Sequence, residues 1–188
     1  AGFIGSNIVD KLIEQDHKVV VIDNLSTGKK ENISYVGHLK RNVELCEIDI
    51  SDTSESESLV EAMKGADTVF LLAAKARVQP SIEEPVEYEQ NNTIGTLNVL
   101  KCASDAGVRR VVYSASSSAY GDTDKLPSVE SDAVNPLSPY GAQKYYGEVM
   151  CKMFSQVYDI ETVSLRYFNI YGERQNVGGA YAMVIGIF

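Results

Sequence analysis

At 188 residues with 44% apolar side chains, the chain has the length of one domain and enough apolar surface for a core. A net charge of −9 excludes the basic face that nucleic-acid binding needs. No apolar run approaches the ~18 residues of a membrane span and no signal-peptide pattern is visible, so neither a nucleic acid nor a membrane is an expected partner.

The chain opens on Ala1-Gly2-Phe3-Ile4-Gly5-Ser6-Asn7, two glycines running into a helical pattern with Ile4, Ile8, Leu12 and Ile13 on one face. Glycines at such a helix start let the backbone approach a pyrophosphate, and the first N–H groups of the helix supply donors. Residues 18–23 predict a short buried strand ending in Asp23, with Asn24 next. Asp23 comes about 20 residues after the glycines, where an acid accepts hydrogen bonds from an adenosine ribose. A strand-end turn carboxylate, helped by Asn24 and Gly28, is the plainer alternative. Lys29 and Lys30 read as a solvated loop. Residues 43–49 predict the next strand, which ends at Asp49 and Ile50. Residues 53–64 are polar and acidic, with Leu59, Val60 and Met63 at helical spacing: a surface helix that Gly65 ends.

Residues 68–74 predict another buried strand, with Leu72 and the small Ala73 and Ala74 at its end. Pro85 introduces a helical stretch that carries Asn92, runs to about Ala106 and is closed by Gly107. Residues 109–116 predict a strand whose apolar run ends in small hydroxyl residues, Ser114 and Ser116, with Ser117 and Ser118 following. The carboxyl end of a parallel strand is where doubly wound sheets bind ligands. A polar loop over 122–138 leads to Ser138, a natural helix N-cap, and to Pro139, which suits the first helical position. Tyr140 and Lys144 then lie i and i+4 on one helix face. A phenol ordinarily loses its proton near pH ~10. A nearby ammonium lowers that value, and a phenol so tuned serves as a general acid or base. The spacing alone is a weak motif; its weight comes from its neighbours.

The same helix continues with Val149, Met150, Met153, Phe154 and Val157, an apolar stripe for the core or for a second copy. Residues 162–169 predict a last strand, holding Tyr167 and ending at Asn169. Cys46, Cys102 and Cys151 are odd in number and scattered, as free thiols of a reducing cytoplasm would be. His17 and His38 have no ligand partners at useful spacing, so no metal site is expected. Strands alternate with helices, which places the chain in the α/β class with a mostly parallel sheet.

Together, the glycine start, the strand end at 114–118 and Tyr140-Gly141-Ala142-Gln143-Lys144 resemble the extended short-chain dehydrogenase/reductase superfamily. Within it they resemble the NAD-dependent nucleotide-sugar epimerases and dehydratases. The resemblance implies a Rossmann-like doubly wound sheet, with residues 1–188 as a partial NAD-binding domain. A strand and a further glycine are then expected before Gly2, and a substrate domain after Phe188. It implies that NAD is held by Gly2, Phe3, Ile4, Gly5, Asp23, Asn24, Asp49, Ile50, Leu72, Ala73, Ala74, Asn92, Ser114, Tyr140, Lys144 and Tyr167. It places Ser116, Ser117, Ser118, Tyr140, Asn169, Gln175, Met183 and Val184 at a UDP-sugar, and a second copy of the chain on the long helices as a homodimer. The family usually has His where Leu71 stands.

The implied catalytic residues are Ser116, Tyr140 and Lys144. Tyr140 takes a proton from a sugar hydroxyl, Ser116 hydrogen-bonds the same oxygen, and Lys144 holds the nicotinamide ribose and lowers the phenol's pKa, aided by the cofactor's positive ring. A 4-epimerase of a UDP-hexose or UDP-N-acetylhexosamine is the reading that results. The run after Asn169 is closer to the epimerases of N-acetylhexosamines than to those restricted to UDP-glucose. The 4,6-dehydratases carry Thr-Asp-Glu at 116–118 and the decarboxylases a Glu at 118, whereas this chain has three serines. A nucleotide-sugar 4,6-dehydratase, or another nucleotide-sugar dehydratase or decarboxylase, is the enzyme alternative, and a non-catalytic dinucleotide-binding protein the alternative outside enzymes.

Overall fold

The computed structural model describes residues 1–34 and 42–175. Helix α1, Phe3–Glu14, starts from an extended Gly2 (φ −78°, ψ −175°). It buries Ser6, Val9 and Ile13. The expected line of Ile4, Ile8 and Leu12 is only half-buried, because Val9 and Ile13 are the pair that meets Val21 of the adjoining strand. That strand, β1 (Val19–Ile22), is parallel to β2 (Val43–Cys46), with Val19 opposite Val43 and Ile22 opposite Cys46. Val19, Ile33, Val43 and Leu45 complete the small core, Ile33 from helix α2 (Glu31–Ser34). Both strands are shorter than the sequence predicts, and Val20 is 43% exposed, so β1 is buried on one face only.

These elements belong to one of two compact units, Ala1–Asp49 with Asn169–Phe188; the other is Ile50–Phe168. The second unit begins with a 3₁₀ turn, Thr53–Glu55, capped by the Asp52 side chain, which accepts from the Ser54 N–H at 2.9 Å. Helix α3 (Ser56–Met63) and strand β3 (Thr68–Leu71) follow. Helix α4 (Val78–Glu83) comes next, which no sequence signal predicted. Helix α5 (Pro85–Glu89), a π turn (Gln90–Ile94) and helix α6 (Gly95–Asp105) make up the long helical stretch begun by Pro85. Gly107, at φ +75°, ends it in the left-handed conformation that costs glycine least. Strand β4 (Arg110–Ser116), a 3₁₀ turn (Ser117–Ala119), helix α7 (Pro139–Val157) and strand β5 (Glu161–Tyr167) complete the unit.

Strand β4 is central, parallel to β3 on one side and β5 on the other. Its last four residues are all buried, as in a parallel sheet covered on both faces. Helix α3 packs on α6, and Leu59 and Leu100 are wholly buried. Each such leucine stabilises the fold by roughly 1.5–3 kcal/mol. The apolar stripe expected on α7 is mostly not its buried face. Phe154 is buried, but Val149 is 42% and Val157 66% exposed. The helix turns Gly141, Gln143, Lys144, Gly147 and Cys151 inward instead.

Candidate active site

The helix start that carries Tyr140 is fixed from three sides. Ser138 is extended (φ −149°, ψ 157°), and its hydroxyl accepts from the Gly141 N–H at 3.1 Å. Pro139 holds the first helical position, where a missing N–H costs nothing. The Tyr140 N–H, one of the donors a helix leaves unpaired, goes to the hydroxyl of Ser81 at 3.1 Å. Ser81 is fully buried on α4 and donates in turn to the Val78 carbonyl at 2.6 Å. Sequence reasoning missed Ser81 because it missed α4 itself: six residues containing a proline give no apolar period.

At the carboxyl end of β4, Ser116 is buried and its hydroxyl accepts from the Ser118 N–H at 3.1 Å, which caps the 3₁₀ turn of Ser117–Ala119. The Ser116 hydroxyl is the neighbour that favours ionisation of the Tyr140 phenol. Tyr167 lies opposite Ser116 in the β4–β5 register, so the two strand ends present an aromatic beside the serine. One turn along α7, Lys144 is buried, donates to the Ser114 carbonyl at 2.9 Å and stands 5.1 Å from the centre of the Tyr113 ring. Burial lowers its pKa to about 8, so the ammonium is still the major form at neutral pH. The structure thus brings together Ser114, Ser116, Tyr140, Lys144 and Tyr167.

The expected depression of the Tyr140 phenol is not found. Burial raises its pKa; the Ser116 hydroxyl acts the other way, and Tyr88 adds to the rise. Removing the phenolate from water outweighs the stabilisation its neighbours give it, and the Lys144 ammonium is turned to the Ser114 carbonyl.

Asn92 is 1% exposed and lies in the π turn. Its side chain accepts from the Lys75 N–H at 2.8 Å and donates to the Lys75 carbonyl at 3.0 Å, clamping the segment just past β3. Leu72, Ala73 and Ala74 lie in that segment and not in the strand, which ends at Leu71. Ala73 is exposed, and Leu72 and Ala74 are half-buried. Behind the site, Arg166 makes a fork-like pair with Glu148 at 2.7–3.1 Å and lies 4.6 Å over the Tyr120 ring. It joins β5 to α7. Burial pushes the Cys151 thiol up to about 11 and Cys102 upward too, so neither is a nucleophile near neutrality.

In the first unit, a side chain at Gly2 or Gly5 would meet nothing within 4 Å, so the space over the α1 N-terminus is open. The Asp23 carboxylate accepts from the Leu25 N–H at 2.7 Å, and the Asn24 amide donates to Asp49 at 2.9 Å. Asp23 is therefore a turn carboxylate as well as a candidate ribose acceptor. Arg174 donates to Ser6 at 2.9 Å and Asp10 at 2.6 Å, and Asn7 donates to the Glu173 carbonyl at 2.9 Å, which docks this segment on α1. Asn169 is exposed and Gln175 half-buried in that unit. Met183, Val184 and His38 lie outside the described residues.

A family model described as the NAD dependent epimerase/dehydratase family matches residues 1–188. The UDP-glucose 4-epimerase of Mycolicibacterium smegmatis is 38% identical over 189 residues, covering 100% of this chain and 59% of its own length. Among solved structures, the UDP-N-acetylglucosamine 4-epimerase of Methanobrevibacter ruminantium M1, in complex with UDP-N-acetylmuramic acid, superposes with a TM-score of 0.90. It is 42% identical, over 98% of this chain and 57% of its own. The UDP-glucose 4-epimerase of Brucella ovis, in complex with NAD, gives 0.82 at 37% identity, over 90% of this chain and 50% of its own. The chain thus spans little more than half the length of these relatives.

Proposed function

Because the chain belongs to the NAD dependent epimerase/dehydratase family, we propose that the protein catalyses 4-epimerisation of a UDP-hexose or UDP-N-acetylhexosamine. The observation that carries this is the buried Ser116 at the end of β4, with the Tyr140 phenol as its neighbour and the buried Lys144 ammonium one turn behind. Tyr140 as phenolate accepts the proton of the sugar's C4 hydroxyl, and Ser116 hydrogen-bonds that oxygen. NAD supplies the acceptor for the C4 hydride and, once reduced, its donor. Lys144 spends one N–H on Ser114 and has two left for a ribose.

The residues present fit this cofactor. The open helix start at Gly2 and Gly5 suits a pyrophosphate, and the Asp23 carboxylate suits a ribose while repelling a 2′-phosphate. The phenol that burial holds protonated needs positive charge to ionise, which a bound nicotinamide ring would add to that of Lys144 once Lys144 also faces the cofactor. On this reading 1–188 is the NAD-binding part of the protein. The exposed Val86, Val149 and Val157 on α5 and α7 suit a homodimer partner, and the free thiols suit the cytoplasm.

Ser117 and Ser118 stand where a dehydratase needs an acid and a base. An unassisted hydroxyl is a poor acid or base near neutrality. The 4-keto sugar is then expected to rotate and be reduced on its other face, with no loss of water. Incubating the full-length protein with UDP-glucose and with UDP-N-acetylglucosamine, and following products by NMR, tests this. C4 epimers with no net change in NAD are expected. A 4-keto-6-deoxy product would make the protein a dehydratase, and NADH released in step with product a dehydrogenase.

A further inference from the structure

The clamp on Lys75 extends further than Asn92. A backbone N–H can only donate and a backbone carbonyl only accept, so Lys75 fixes which end of the Asn92 amide is which. The second Nδ2 hydrogen of Asn92 then goes to Gln143 Oε1 at 3.0 Å. That choice turns the Gln143 Nε2 toward Glu89, whose Oε2 accepts from it at 3.1 Å. The polarity of every link follows from the one before. Asn92 and Gln143 are 1% and 4% exposed, so a broken link leaves a buried polar group that costs roughly 1–3 kcal/mol. The three side chains come from α5, the π turn and α7, where Gln143 immediately precedes Lys144. A π turn is a strained insertion that often marks a functional position.

We propose that Gln143 and Glu89 are positioning residues for the cofactor. They fix the Asn92 amide, and through it hold the backbone at Lys75, so that the residues just before it, Leu72, Ala73 and Ala74, are in place to receive NAD. The inference rests on the NAD reading above and adds two residues to it. Gln143→Glu preserves size and still accepts from Asn92. It has no hydrogen for Glu89, however, and it sets two carboxylates against each other. In the double variant Glu89→Gln/Gln143→Glu the hydrogen is supplied from position 89, so the link re-forms in the opposite sense, the Asn92 bond keeps its direction and the net charge is that of wild type.

The test is NAD titration of the nucleotide-free full-length protein, with melting followed by circular dichroism. Gln143→Glu should weaken NAD binding by about tenfold or more. Glu89→Gln, whose amide oxygen accepts equally well, should stay within about twofold of wild type. The double variant should recover to within about threefold, because the two positions are coupled. Unchanged affinity in Gln143→Glu, whatever its melting temperature, would overturn the proposal. So would a double variant as weak as the single one. A wild-type protein that does not bind NAD would instead overturn the cofactor reading, and this inference with it.

Discussion

Lys144 is held at a cost to the fold. Burial brings its pKa to about 8, against an ordinary value near 10.5. The folded protein therefore releases this proton at lower pH than the unfolded chain does. Between about pH 8 and 10.5 the unfolded chain binds more protons, so stability rises with pH through that window. Below pH 8 the penalty is present in full, on the order of 3 kcal/mol. Lys144→Met removes the buried charge, at the smaller cost of an unpaired Ser114 carbonyl. In urea unfolding at pH 7 the nucleotide-free full-length variant should be more stable than wild type by about 1–2 kcal/mol, with no rise attributable to this group above pH 8. Turnover should be lost. A variant less stable than wild type at pH 7 would mean that the ammonium stabilises the fold, contrary to this account.

At the scale of elements, the site depends on how closely α7 lies on β4. A Cβ at Gly147 would stand 2.3 Å from the Tyr113 hydroxyl and ring. Tyr113 is 1% exposed, and its ring faces the Lys144 ammonium, so it can yield only by displacing what surrounds it. Gly147→Ala should cost about 1–3 kcal/mol as an overpacked core contact. It should also lower kcat, because the ring that moves is the one beneath Lys144. Wild-type melting together with wild-type kcat would refute the close approach. This contact shows what the sequence conceals. Ser138, Pro139, Tyr140 and Lys144 were legible because caps and i,i+4 spacing are local chemistry. Ser114 and Ser116 were legible because an apolar run ending in small hydroxyls has a local pattern. Ser81 and the partner of Gln143 were not, since their roles arise from residues 59 and 54 positions away. The upward shift of Tyr140 was hidden for the same reason: desolvation depends on everything packed around the ring. Of the two readings of the α7 stripe, core or a surface for a second copy, the sequence could not choose, because the inward face is set by the packing of α7 on β4, which turns Gly141, Gly147 and Cys151 inward and leaves Val149 and Val157 outside.

Over the whole molecule, the candidate ribose acceptor and the candidate catalytic residues fall in different compact units, and on the proposed reading that makes cofactor choice and chemistry separable. Asp23 belongs to Ala1–Asp49, while Ser116, Tyr140 and Lys144 belong to Ile50–Phe168. Asp23 accepts from the Leu25 N–H on one carboxylate oxygen and from the Ala1 amino group on the other, and each oxygen keeps a second lone pair that a ribose can use. Asp23→Ala removes both the ribose acceptor and the charge that repels a 2′-phosphate. It should weaken NAD by about tenfold or more, narrow the gap between NAD and NADP, and leave turnover at saturating NAD nearly unchanged. Tyr140→Phe removes one oxygen and nothing else from the packing. It should abolish most turnover, by about a hundredfold or more, while NAD still binds at wild-type strength. Titrating both nucleotides into each full-length variant, and measuring kcat at saturation, gives four numbers per variant. If Asp23→Ala changed kcat as much as affinity, cofactor selection would not be separable from catalysis. If Tyr140→Phe kept its rate, the proton would have to leave by a group other than this phenol.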